Sequence, residues 1–337
     1  MADLTLRQAA ATEQPMVRNH QGLHPLTWLL ILAMAVGVCV TLFMTLGANG
    51  NWDFILPLRL RKLATLVLVA YAIGFSTVLF QTATGNRILT PAVMGFDALY
   101  VLIQSCLVFM VGAQASLILD ERILFIVQIG IMVGASALLY RTLFHGGHRS
   151  LHQLVLAGIV LGVLFRSLSS FIQRIINPNE FAFLQDRLFA SFNNPDETLL
   201  LMSTAMIFVA SIWALRWVRT CDVLALGREP AINLGIDHQR VVLRILIVVA
   251  ILTSISTALV GPVTFFGLLV SHLAYTLLPT FRHALLLPAA VLIGILCLVG
   301  GQLVLERLFA FDTNLRVIID FVGGLTFILL LMRRTSR

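Results

Sequence analysis

Residues 221–240 read CDVLALGREPAINLGIDHQR, a polar stretch that separates two long apolar segments. Asp222 is expected to cap a short helix, and Gly227 is expected to end it. Glu229 then opens a second helical turn, where a carboxylate suits the helix dipole, and Gly235 closes that turn. Taken alone, these residues fit either a compact pair of short helices that contacts another protein or a solvated connecting loop.

The segments on both sides of this stretch predict a membrane protein. The chain is 59% hydrophobic and 12% charged, a composition that excludes an ordinary soluble domain. A spanning helix needs about 20 apolar residues, and these segments lack the alternating pattern of barrel strands. We therefore predict an all-α polytopic membrane protein with ten spans, at residues 28–48, 61–82, 93–113, 123–143, 151–174, 198–217, 241–260, 263–278, 284–305 and 315–332.

The placement of charge predicts the topology. Residues 1–27 form a polar tail, residues 28–334 form the membrane domain, and residues 218–240 face the cytoplasm. With both termini inside, most arginines lie on the cytoplasmic side, including Arg333 and Arg334 near the C-terminus. The net charge of +7 reflects this topology, and no soluble basic face that would bind nucleic acid is apparent.

The lysine content of the chain excludes a P-loop ATPase. Lys62 is the only lysine in the chain and does not lie in a glycine-rich loop. A P-loop needs a lysine directly after such a loop to reach the nucleotide phosphates, so any ATPase must be a separate subunit. We also find no catalytic constellation, no cofactor motif and no convincing metal site. His145, His148 and His152 lack a nearby carboxylate or thiol ligand.

A second motif lies between the seventh and eighth predicted spans. Residues 259–272 read LVGPVTFFGLLVSH. Gly261 and Pro262 break the helix, and Gly267 permits the close approach of a neighbouring helix. Broken helices at membrane depth are tolerated only against protein or a water-lined cavity. A simple tight turn between two spans is the other interpretation.

Three ionisable side chains lie within predicted spans: Asp97, Arg166 and Asp320. A charge near the bilayer centre costs roughly 2.5–3.5 kcal/mol on insertion scales, so such residues normally face the bundle or a cavity.

The motifs together resemble the permease subunits of the iron-chelate and cobalamin family of ABC importers. ALGREPAINLGID (225–237), GPVTFFGLLVSHLA (261–274) and RHALLLPAAVLIG (282–294) follow one another at the family's spacing. RLRKLATLVLVAYAIGFSTVLFQ (59–81) and NRILTPAVMGFDA (86–98) are similar to its second and third spans. NEFAFLQDRLFASFNN (179–194) and FVGGLTFILLLMRR (321–334) resemble its siderophore branch, in which catecholate-type chelates are common.

The resemblance implies a type II importer permease with ten helices, which pairs with a second, distinct permease chain in the cytoplasmic membrane. Two ATPase subunits would bind below it and an extracytoplasmic siderophore-binding protein above it. The ATPase would contact the coupling helices through six residues: Leu226, Gly227, Arg228, Glu229, Ala231 and Gly235.

The resemblance also assigns roles at the outer side and inside the bundle. Arg59, Lys62 and Arg307 would pair with carboxylates of the binding protein, although interfacial snorkelling is an alternative. Arg166 would face the pathway, with Asp97 and Asp320 near it, or else would pair structurally with one of these aspartates. The chain departs from the family pattern at Arg228, where many members carry an acid, at Thr264 in place of glycine and at Ser271 in place of proline.

Three other functions stay open at this point. An ion-driven secondary transporter could use Asp97 and Asp320 as proton or cation sites. An ABC permease for cobalamin or haem is the second. An ABC permease for free metal ions is the third, and the ten-span count and the GPVTFFGLL turn argue against it.

Overall fold

The computed structural model describes residues 24–46, 52–112, 120–144, 151–188, 192, 196–308 and 315–335. The described chain is helical apart from its turns and short connections, which confirms the predicted all-α class. Its α-helices are α1 (Pro25–Thr45), α2 (Trp52–Thr84), α3 (Phe96–Val111), α4 (Glu121–Phe144), α5 (Leu151–Ile175), α6 (Pro178–Leu188), α7 (Glu197–Leu215), α8 (Val218–Leu224), α9 (Arg228–Asn233), α10 (His238–Val260), α11 (Phe266–Leu277), α12 (His283–Leu308) and α13 (Leu315–Thr335).

Seven helices of the described chain are long and apolar enough to cross a membrane: α1, α2, α4, α5, α7, α10 and α12. The other three predicted spans overlap α13 and the shorter apolar helices α3 and α11. The third and eighth spans, predicted to start at residues 93 and 263, begin slightly later, at Phe96 and Phe266. The second span, predicted to start at residue 61, lies in a helix that already begins at Trp52. The first helix begins at Pro25, inside the predicted tail.

Two irregular segments explain the late starts of α3 and α11. A 3-10 turn, Pro91–Met94, precedes α3, and Gly95 follows it with a φ of 91°. Gly261, with a φ of 91°, ends α10, and residues 261–265 connect it to α11. These conformations favour glycine because it has no side chain to clash. The helix break predicted at Gly261 and Pro262 is confirmed.

The centre of the bundle is built by α2, α10 and α12. Of their apolar windows, 67% of α2 and 72% of α10 is buried, compared with 11% of α1. Small residues bring α2 and α12 close together, because a Cβ placed on Gly294 would lie 3.2 Å from the carbonyl oxygen of Ala70. A Cβ on Gly74 would lie equally close to the carbonyl oxygen of Ala290. Such close approach is typical of helix pairs in membranes.

The bundle has two ends, which we name by their residues. The Asp222 end contains the end of α2, the short helices α8 and α9, and the start of α12, and it is joined by contacts between Thr82, Asp222 and His283. The Lys62 end contains the start of α2 and the end of α12, and it is joined by Lys62 and Glu306.

Candidate functional site

The polar stretch forms two short helices at the Asp222 end, which is the first of its two interpretations. Helix α8 ends at Leu224, and α9 begins after Gly227, whose φ of 106° suits a residue without a side chain. Glu229 lies in the first turn of α9, and Gly235, with a φ of 83°, follows that helix. We call residues 218–240 the coupling segment.

The coupling segment is anchored by few side chains. Ala231 is fully buried, whereas Arg228 and Glu229 beside it are exposed. Three large apolar side chains of the coupling segment are also exposed: Leu226 is 62% exposed, Ile232 48% and Leu234 64%. The sequence prediction included Leu226 but missed Ile232 and Leu234. Apolar residues within an otherwise polar stretch were the signal for them, since exposed apolar clusters mark contact surfaces.

Asp222 does not cap its own helix, so that expectation was wrong. It lies within α8 and reaches to the start of α12. Its Oδ1 atom accepts the backbone N–H of His283 at 2.6 Å and lies 2.7 Å from the Nδ1 atom of the same residue. A carboxylate can only accept hydrogen bonds, so Nδ1 donates. The Nε2 atom of His283 in turn lies 2.7 Å from the hydroxyl of Thr82 on α2.

The neighbour of Asp222 in α8 is more fully enclosed than Asp222 itself. Cys221 is fully buried in α8, and all four cysteines of the chain are free. Burial raises the pKa of the Cys221 thiol to about 12, and the charge of Asp222 adds to this rise. The thiol therefore behaves as a small apolar side chain that helps to pack α8.

Inside the bundle, three helices meet at the turn between α10 and α11. The Thr264 hydroxyl donates to Oδ2 of Asp97 on α3 at 2.8 Å. Asp320 on α13 accepts the backbone N–H of Phe265 at 3.4 Å and lies 3.4 Å from the Nε atom of Arg316. The structure thus brings together two of the three predicted membrane-depth residues.

Arg166, the third of these residues, lies on α5 with an exposed side chain. Within the described chain it forms no ion pair with Asp97 or Asp320. Its helix nevertheless passes close to the start of α3, because a Cβ on Gly162 would lie 3.1 Å from the Cα atom of Gly95 and 3.8 Å from the Nη1 atom of Arg166.

Two residues that depart from the family pattern, Thr264 in the α10–α11 turn and Ser271 in α11, both form hydrogen bonds within this chain. Thr264 makes the hydrogen bond to Asp97 described above. Ser271 is fully buried inside α11, where it accepts from Gln81 at 2.9 Å and donates to the carbonyl oxygen of Leu268 at 3.1 Å. Gly267 permits close approach as predicted, since a Cβ there would clash with the hydroxyl of Thr77.

The three predicted docking residues lie together at the Lys62 end, and each contacts its own chain. Arg59 donates to the carbonyl oxygens of Phe43 and Met44, at 2.8 Å each, and of Leu46 at 2.7 Å. Arg307 also donates to the carbonyl oxygen of Leu46. Basic groups placed on the last carbonyls of α1 stabilise the end of that helix.

Lys62 is the most enclosed of the three. Its Nζ atom lies 2.6 Å from Oε1 of Glu306, and the two side chains are 11% and 15% exposed. Gln302 adds a hydrogen bond to the same carboxylate at 3.0 Å. The neighbouring pair of Arg61 and Glu197 is open to solvent, with side chains 45% and 71% exposed.

The remaining candidate is a metal site formed by histidines. Among the described residues, no group of three or more His, Cys, Asp and Glu side chains could hold a metal ion. His145 and His148 lie outside the described residues, and for His152 only the helical backbone is described.

Comparison with known proteins gives a consistent set of relatives. A model of the FecCD transport family matches residues 23–333. The petrobactin import system permease protein YclO of Bacillus subtilis (strain 168) is 48% identical over 307 residues, which cover 91% of this chain and 97% of that protein. The petrobactin import system permease protein FatC of Bacillus anthracis is 34% identical, covering 82% and 78% of the two chains.

More distant similarities extend to another cargo and to a solved structure. The hemin transport system permease protein HmuU of Yersinia pestis is 26% identical, over 88% of each chain. The solved structure of a metal-chelate type ABC transporter in an inward-facing conformation has a TM-score of 0.80 and covers 92% of this chain and 99% of that one. At 21% identity this last likeness concerns the fold.

Proposed function

The chain belongs to the FecCD transport family, and we propose that it is the permease subunit of an ATP-driven importer that carries a ferric siderophore across the cytoplasmic membrane. The observation that carries this proposal is the 48% identity with a petrobactin import permease along 91% of the chain. Two petrobactin permeases match at 48% and 34%, and the hemin permease matches at 26%. These values favour a siderophore over haem as the cargo.

We infer that the coupling segment receives the movement of a separate ATPase subunit. In support, Leu226, Ile232 and Leu234 present apolar surface beside the charged side chains of Arg228 and Glu229. A surface of apolar side chains with a charged rim is typical of protein interfaces. On this proposal Gly227 and Gly235 set the turns that hold α9 out from the bundle, and Ala231 packs it against the rest of the chain. The Asp222 end then faces the cytoplasm.

The docking of a binding protein at the Lys62 end is a second part of the proposal. Arg59 and Arg307 carry positive charge at that end and would steer an acidic partner towards it. The internal contacts of Arg59, Lys62 and Arg307 indicate that the same residues also hold α1, α2 and α12 together. Lys62 contributes to this end chiefly by holding α2 against α12, because its side chain is 11% exposed and its charge is paired with that of Glu306.

The cargo pathway is the third part. We propose that it runs beside α5 and α13 to a second, distinct permease chain, and that Arg166 eases the passage of an anionic ferric chelate. The exposed side chain of Arg166 and the absence of an ion pair to Asp97 or Asp320 within the described chain support this role over a structural pair. Normal transport and normal assembly of an Arg166→Ala variant would contradict both ideas.

The proposed function is tested by reconstituting the chain with the ATPase, partner permease and binding protein of its own system in liposomes. Uptake of radio-iron bound to petrobactin is expected to require ATP and to stop when vanadate traps the ATPase. Uptake that continues in vanadate and collapses when the proton gradient is dissipated would instead identify an ion-driven transporter that uses Asp97 and Asp320. Uptake of haem or cobalamin, but not of the petrobactin complex, would overturn the cargo assignment.

A further inference from the structure

Asp222 makes its closest contacts outside the coupling segment. Asp237 and Arg240 pair with each other locally, whereas the carboxylate of Asp222 contacts a residue 61 positions away in the sequence. That residue, His283, is the first of α12. Asp222 therefore serves as an N-terminal cap for a helix to which it does not belong.

This contact is strong for physical reasons. The backbone N–H of His283 is one of the groups that a helix start leaves without a partner inside the helix, and a negative charge is favoured at that position. Hydrogen bonds to a carboxylate are shorter and stronger than those between neutral groups. The His283 side chain is 3% exposed and that of Asp222 28%, so water has little access to the imidazole and reaches only part of the carboxylate.

The contact extends from α12 to α2 through the same imidazole ring. The Nε2 atom of His283 lies 2.7 Å from the hydroxyl of Thr82, and Thr82 is 9% exposed. Asp222, His283 and Thr82 thus join α8, α12 and α2 in one hydrogen-bonded chain. We call these three residues the Asp222 relay.

Helices α2 and α12 are also joined along their whole length. Close packing of Ala70 with Gly294 and of Gly74 with Ala290 joins their middles, and the pair of Lys62 and Glu306 joins their far ends at 2.6 Å. Two helices fixed at both ends and in the middle move as one body. A displacement delivered at Thr82 and His283 therefore reaches the Lys62 end.

We propose that the Asp222 relay is the mechanical link that transfers movement of the coupling segment to the α2–α12 pair, with Asp222, His283 and Thr82 as positioning residues. The inference rests on the proposed function, because it requires an ATPase that moves the coupling segment. It adds the route by which that movement leaves the segment. The surface of α9 supplies the contact with the ATPase, and the relay supplies the connection to the membrane helices.

The test measures cargo transported per ATP hydrolysed by the complete reconstituted complex, with the petrobactin complex of radio-iron as the probe. Asp222→Ala is expected to lower this ratio roughly tenfold, as the loss of a charge-assisted hydrogen bond would give, while ATP hydrolysis continues. Asp222→Asn is expected to retain most of the ratio, since the amide oxygen still accepts from the backbone N–H and the Nδ1–H of His283. A residue that served only stability would change the amount of complex and leave the ratio alone.

The matched control is Asp196→Ala. Asp196 also caps a helix through two backbone N–H groups, at 2.8 and 2.9 Å, but that helix is its own, α7. Its removal is expected to leave the ratio unchanged. A wild-type ratio in Asp222→Ala would overturn the relay, while a wild-type complex without ATP-dependent uptake would overturn the proposed function itself.

A third variant tests the Asp222 relay if the complex with Asp222→Ala fails to assemble. Thr82→Val keeps the shape of the side chain and removes the hydroxyl that contacts His283. A reduced ratio in an assembled Thr82→Val complex supports the relay, and an unchanged ratio overturns it.

Discussion

Helix α9 of the coupling segment and the Lys62 end both carry charged residues, but these residues are placed in opposite ways. In α9, Arg228 and Glu229 are exposed and a single alanine packs inward. At the Lys62 end, Arg59, Lys62 and Arg307 all donate to carbonyl or carboxylate oxygens of the same chain. Helix α9 leaves its charged groups exposed, and the Lys62 end uses its charged groups to hold three helices together.

This difference separates two roles that a charged motif can have. A basic residue whose hydrogen bonds are already made within the chain stabilises the fold, and it attracts a partner mainly through its long-range field. A charged residue that stands free beside exposed apolar side chains can form the interface directly. Substitutions should therefore act on partner binding at the coupling segment and on stability at the Lys62 end.

The largest expected effect is on ATPase binding. Glu229→Arg reverses an exposed charge in the middle of the coupling segment, so co-purification of the ATPase subunit should fall about tenfold or more, as for a central interface residue. The thermal midpoint of the isolated permease should stay the same. Asp186→Arg on α6 is the control, because it makes the same charge change on an exposed residue away from this segment. Full ATPase binding and full uptake in Glu229→Arg would return the segment to a simple connecting loop.

The second effect concerns stability at the Lys62 end. Lys62→Met should lower the free energy of unfolding by about 2–4 kcal/mol, because it leaves the enclosed Glu306 carboxylate without its cation. Arg61→Met, which removes the cation of the exposed pair with Glu197, should cost about 0–1 kcal/mol. Thermal unfolding of the purified permease in detergent compares the two. Equal losses of unfolding free energy in Lys62→Met and Arg61→Met would mean that burial does not make the Lys62–Glu306 pair more important than the Arg61–Glu197 pair.

The third effect is on docking of the binding protein. Arg59→Glu should weaken its affinity about fivefold at low ionic strength and less at high salt, since the interaction of exposed charges is screened. Arg122→Glu serves as the comparison for Arg59→Glu, because it makes the same charge change at the start of α4, where the arginine donates to Thr198. The affinity is measured by surface plasmon resonance. If wild type and Arg59→Glu bind the binding protein equally well at low salt, Arg59, Lys62 and Arg307 have a structural role alone.

The smallest effect is a dependence of stability on pH. Hydrogen bonds from the backbone of Leu199 and Thr198 lower the pKa of the Asp196 carboxyl group below its usual value. The folded-state pKa is the lower one, so the cap contributes fully above the ordinary pKa of aspartate and is lost as the pH falls through the lowered value. Asp196→Ala should cost about 0.5–1 kcal/mol at neutral pH, and this difference should shrink in acid. A constant difference between the two proteins across the acid range would contradict the assignment.

The sequence predicted the helices better than their ends and their contacts. Each of the ten predicted spans overlaps a helix, and in the described chain seven of these helices are long and apolar enough to cross a membrane. Length and composition are detectable in the sequence because a membrane selects for both. The late starts of α3 and α11 depend on contacts made after folding: Thr264 with Asp97, and Gly95 packed against Gly162. Such contacts join residues far apart in sequence and leave no local pattern.

The candidate site was predictable to a similar degree. The turn residues Gly227 and Gly235 could be identified because positive φ angles favour glycine. The reach of Asp222 to His283 and the enclosure of Lys62 could not, since both depend on the way α12 packs. Helix α6, Pro178–Leu188, was also missed, because it is shorter than a spanning helix.

The shortness of α11 has a consequence for how the chain enters the membrane during synthesis. With 12 residues, this helix is about 18 Å long, little more than half of the roughly 30 Å hydrocarbon thickness. It is a poor substrate for insertion on its own and should enter together with α10. The turn before it gains the cover of Asp320 and Gly323 only when α13, a later product of translation, has packed against Phe265. A nascent chain that stops short of α13 should therefore expose this turn to the quality-control proteases of the membrane.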